Sequence, residues 1–77
     1  MIDDIILDKE IAGGITLRSA DAIQFLQWVI KKVNDSGLPP NKVAELTMLS
    51  TSYPGRYMAD YDKMAIVNKM ADVGISL

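Results

Sequence analysis

Residues 37–52 read GLPPNKVAELTMLSTS, and the reading of this stretch decides the fold. Gly37 suits the residue just past a helix, where the backbone turns left-handed. Pro39-Pro40 suits the opening of the next helix, since the first helical position makes no use of its N–H. Val43, Ala44, Leu46 and Thr47 follow at helical spacing, and Met48-Leu49 closes the segment. Ser50 is then the N-cap of a third, short helix beginning at Thr51. Two helices joined by a short turn must pack closely where they cross. Ala44 is the small residue that permits the approach, and Val43 and Leu49 fill the space between them.

Upstream, Ala22, Phe25 or Leu26, Val29, Ile30 and Val33 recur at helical spacing. Ser19 is the expected N-cap of this helix, with Asp21 in the positive first turn and Lys31 and Lys32 in the last turns. Asn34-Asp35-Ser36 leads to its end at Gly37. Downstream, Asp60 or Asp62 caps a helix carrying Tyr61, Met64, Ala65, Ile66, Val67, Met70 and Val73, which Gly74 ends. Residues 1–17 are β-prone instead, with Ile2, Ile5, Ile6, Leu7, Ile11, Ile15 and Leu17. They predict two short strands near 3–8 and 14–18. The turn falls at Gly13-Gly14 or at Asp8-Lys9-Glu10. The expected architecture is mostly α: a four-helix helix-turn-helix domain over 19–77, preceded over 1–18 by a short N-terminal β-hairpin or strand segment.

The totals narrow the chemistry. The chain has 77 residues, enough for one domain, with 49% hydrophobic and 23% charged side chains, as in ordinary globular domains. A chain this short buries only about 60% of its unfolded surface. Cysteine and histidine are both absent, which removes disulfides, thiolate nucleophiles, histidine triads and nearly all zinc sites. Association is the remaining stabiliser, so a homodimer is expected, with residues 1–17 as its arm. Asp3 and Asp4 stand where a secretory leader has basic residues, and no apolar run approaches the about 20 residues that span a bilayer. The expectation is a cytoplasmic protein with no membrane partner. Net charge is −2 and the pI about 4.8. Residues 1–17 carry −3 and the remainder +1, so the acid is concentrated at the start. Asp3-Asp4 and Asp60/Asp62 are carboxylate pairs with no tuned partner, and Gly13-Gly14 lacks the lysine of a phosphate loop. No catalytic residue, metal ligand or cofactor is expected.

The stretch 37–52 resembles the helix-turn-helix of the lambda-repressor-like (Cro/C1, or XRE) DNA-binding family. Gly37, Leu38, Val43, Ala44, Leu49 and Ser50 stand at the family's Gly-Leu, Leu-Ala and Leu-Ser positions without a gap. The resemblance covers roughly residues 20–77, and Met70-Ala71-Asp72-Val73-Gly74-Ile75-Ser76-Leu77 is similar to the family's Leu-Gly-Val-Ser ending of helix four. Met48 occupies the place of the family's turn glycine, and Pro54-Gly55 falls inside the expected third helix. What the resemblance implies is a small, dimeric, phage- or plasmid-type repressor that binds double-stranded DNA for transcription regulation. Its third helix would meet base edges through Thr51, Ser52, Tyr53 and Arg56, with Arg56 suited to guanine and Lys42 to a phosphate. Lys31, Lys32 and Lys63 are further phosphate candidates.

Each of these residues also has a plainer reading. Thr51 and Ser52 are then first-turn helix residues, Tyr53 and Tyr57 half-buried packing residues, and Arg56 a solvated charge. Lys31 and Lys32 are then a solvated helix end. Trp28 lies off the centre of its apolar face, as core or as a dimer anchor. Met58, Met64 and Met70 fill core gaps. A rival function follows from the acidic pI and acidic first segment: a protein-binding inhibitor or regulatory module on the same scaffold, such as a phage protein acting on a host protein.

Overall fold

A computed structural model of the chain describes residues 2–52 and 57–77, with side chains for 5–49, 52 and 57–77. The element order is α1 (Ile2–Leu7), β1 (Glu10–Ala12), β2 (Ile15–Thr16), α2 (Ala22–Asp35), α3 (Pro40–Thr51) and α4 (Asp60–Asp72). The chain is therefore mostly helical, with four helices among the described residues and a two-stranded antiparallel hairpin near the N-terminus. Helix α2 packs on α3, α3 on α4, and α1 on α4.

The hairpin turns at Gly13-Gly14, where φ is +50° and +88°, conformations that glycine adopts without steric cost. Glu10 pairs with Thr16 and Ala12 with Ile15, and the register shifts between Glu10 and Ala12. The expected strand at 3–8 is instead helix α1. Its apolar residues are consecutive rather than alternating, so an extended chain would put Ile6 on the face opposite Ile5 and Leu7. The helix buries Leu7, packs Ile6 against the core and leaves Ile5 exposed. Tertiary packing outweighs the β preference of branched side chains here.

The N-cap of helix α2 is Asp21, not Ser19. The Gln24 amide donates to Asp21 Oδ1 at 2.8 Å and the Asp21 amide to Gln24 Oε1 at 3.4 Å, a reciprocal capping box. Ser19 instead closes the preceding turn, accepting from the Thr16 amide at 3.0 Å. Ala22, Phe25, Val29 and Val33 form the buried stripe. Gly37, at φ +76°, then ends the helix region as its sequence position predicts.

Helix α3 departs most from expectation. Pro40 opens it, but it passes through Met48, Leu49 and Ser50 to Thr51, and Ser52 is its C-cap. The turn expected after Met48 needs a residue at positive φ, and no described non-glycine residue adopts one. With methionine where the family has glycine, continuing the helix costs less than turning. Ala44 is exposed rather than at a helix crossing, and Leu46 is the buried one among the described side chains of α3. Residues 53–56, which include Tyr53, Pro54, Gly55 and Arg56 of the expected third helix, lie outside the described residues.

Helix α4 takes Ala59 as its N-cap, so neither Asp60 nor Asp62 occupies that position. Asp62 accepts from the Ala59 amide at 3.2 Å, satisfying one orphan donor. Ile66, Val67 and Met70 are buried, and Met58 joins them as expected, while Met64 packs at the edge. One cluster gathers Leu7 and Leu17 from the first segment with Phe25, Val29, Leu46, Ile66 and Ile75. None of the described helices is long and apolar enough to cross a membrane.

Candidate functional site

Of the side chains expected to meet DNA, the described ones, Lys42 and Ser52, lie far apart. Lys42 is exposed in the first turn of α3, and its Nζ lies 3.7 Å from Glu45 Oε2. Glu45 also reaches Lys69 of α4 at 3.7 Å, so this lysine belongs to a loose bridge between helices. Thr51 is the last residue of the same helix, and Ser52 caps it by donating from Oγ to the Leu49 carbonyl at 2.7 Å. Lys42 and Ser52 therefore lie at opposite ends of α3, about 15 Å apart along its axis at the helical rise. Tyr53 and Arg56 lie outside the described residues. Tyr57 is 82% exposed, which removes the half-buried packing role.

Lys63 is no phosphate ligand, since it is 2% exposed. Its Nζ donates to the carbonyls of Leu17 at 2.7 Å, Arg18 at 2.9 Å and Ala20 at 2.6 Å. All three protons of an ammonium are thus used. The same nitrogen sits 5.9 Å from the centre of the Phe25 ring. Burial pushes Lys63 below the usual lysine value. Asp60 pulls it back up, Arg18 lowers it further and Asp21 raises it. Arg18 lies over this node, donating from Nε to Asp8 at 2.9 Å. Its second partner is Asp60 of α4. The hollow beside it, of about 260 Å³, is lined by these charges with Tyr57 and Met58. Its cations are already engaged by protein carbonyls and carboxylates, so the arrangement locks the hairpin onto α4.

The open surface lies between the hairpin and α2. Ile11, Ala12 and Ile15 form one wall. Gln24, Gln27, Trp28 and Lys31 form the other, at helical spacings that place them on one face. They enclose a hollow of about 310 Å³. A second hollow, of about 270 Å³, shares Trp28, Ile11 and Lys31 and adds Lys9, Glu10, Lys32 and Asp35. Trp28 is half-buried between the two. Its ring centre is 6.0 Å from that of fully buried Phe25, tilted by 35°, so the indole is braced from the core side. Lys9 donates to the Leu77 carbonyl at 2.8 Å, and Glu10 accepts from the Gly14 amide at 3.0 Å.

Trp28 stands out in the sequence by its off-centre position. The groove has no such mark, because nothing in the residue pattern says that the hairpin lies against α2. The buried lysine did carry a signal: Lys63, Ile66, Val67 and Met70 fall at i, i+3, i+4 and i+7 on the buried side of α4.

Comparison with family models, with curated proteins and with solved structures finds no match to the chain.

Proposed function

We propose that this chain is a protein-binding module whose docking surface is the groove at Trp28, between α2 and the hairpin. The observation that carries the reading is a braced, half-buried indole with apolar walls from Ile11 and Ile15 and a charged rim. Tryptophan in such a setting buries a large area at little entropic cost, which is why it recurs at the centres of protein interfaces. Charge and geometry lean the same way. Net charge is −2, Lys42 is already beside Glu45, and α3 continues through the point where a recognition helix should begin. The repressor-like reading keeps only the sequence resemblance as its support.

The discriminating experiment is a titration with mixed-sequence duplex DNA at low salt. The expected result is no complex. A duplex complex that weakens steeply with salt, and that Lys42→Ala or Arg56→Ala weakens further, would restore the repressor-like reading.

A further inference from the structure

We propose that the Trp28 groove takes a second copy of this chain, so that the protein self-associates through it. The proposal rests on the protein-binding reading and names the partner of that same surface. The pattern of charge on the rim points to this occupant. Lys31, Lys32, Glu10 and Asp35 all border one hollow. Lys31 and Lys32 stand four and three residues before Asp35 on one helix, spacings that normally allow ion pairs. Among the described residues no ion pair closes between them, and none engages the head groups of Lys31, Lys32 or Asp35, while Glu10 accepts from the Gly14 amide.

A uniformly acidic partner would meet Glu10 and Asp35, and a uniformly basic one would meet the lysines. A partner with both signs in matching positions satisfies the rim. In a two-fold pairing the same patch faces itself, so that residue i meets j and j meets i. Lys31 and Lys32 of one copy then face Asp35 and Glu10 of the other, and the facing copy covers each Trp28. The rest of the molecule favours the same occupant. The core is thin, the chain has no cysteine for a disulfide, and the hairpin beside the groove has only two strands.

The test uses the full chain. Sedimentation equilibrium over rising protein concentration should show a monomer–dimer equilibrium. Emission from Trp28, the only tryptophan, should become shielded from a soluble quencher as the dimer forms. Lys31→Glu with Lys32→Glu should give a monomer, and so should Asp35→Lys, each with an unchanged far-UV circular dichroism spectrum. Mixing the two variants should restore a heterodimer on the order of tenfold tighter than either variant alone. A wild type that stays monomeric with Trp28 open to quencher at every concentration overturns self-association and leaves the groove to an unlike protein. A dimer that neither charge variant weakens places the interface on another face and overturns the proposal equally. Duplex binding, by contrast, is the result that defeats the underlying protein-binding reading.

Discussion

Lys63 shows how much a single side chain carries in a small fold. Its ammonium is the shared partner of three carbonyls in the turn that follows β2, from Leu17, Arg18 and Ala20. Lys63→Met keeps most of the apolar stem and removes all three donors. Buried carbonyls left without a partner are costly, so the variant should lose about 3 kcal/mol in urea unfolding. A loss near zero would mean that water replaces the ammonium at no cost. The pH dependence has a definite sign. The folded-state pKa is below the unfolded value of 10.5. Below both values the two states bind the proton equally and the contribution is flat. Between them the unfolded chain binds more protons, so the wild type gains stability as pH rises through that alkaline window. Lys63→Met lacks this gain, and comparing the two proteins cancels whatever is common to both. An equal pH response in both would show that burial does not perturb Lys63.

At the scale of elements, what the sequence made legible depended on whether one residue type had one use. Helix α2 was readable because its apolar positions repeat and Gly37 can end it in a way few residues can. Gly37→Ala, which forces alanine to φ +76°, should cost about 1 kcal/mol although open space surrounds the site. A thermal-unfolding midpoint equal to the wild type would contradict that. The cap of α2 was misplaced by two residues because Ser19 and Asp21 are both good acceptors, and only the Gln24 side chain selects Asp21. Helix α1 was misread as a strand because Ile5, Ile6 and Leu7 favour strands locally, while α4 supplies the surface that α1 packs on. Ser50 is favoured at a cap but tolerated inside a helix, so it does not by itself end α3. The absence of a glycine at position 48 was the better guide. The candidate groove was legible only as an odd tryptophan, because its other wall comes from a hairpin whose packing is a long-range contact.

For the whole molecule, the first segment decides whether there is a fold at all. Residues 1–17 are the most acidic part of the chain and look detachable in sequence, yet Leu7 is 2% exposed and Leu17 is fully buried. The same segment supplies Leu17's carbonyl to Lys63, Asp8 to Arg18, and Lys9 to the C-terminal carbonyl of Leu77. It also forms the Ile11 and Ile15 wall of the groove. Burying two leucines contributes about 3–6 kcal/mol, comparable to the entire stability of many domains this small. Deleting residues 1–17 should therefore abolish cooperative unfolding and most helical circular dichroism, not merely separate two subunits. Leu17→Ala gives the graded version, with an expected loss of about 2–5 kcal/mol. A truncated chain that keeps its helical signal and a sharp thermal transition would show instead that α2, α3 and α4 hold together by themselves. The hairpin would then be an attachment to the fold, and the groove at Trp28 would be the seam where it docks.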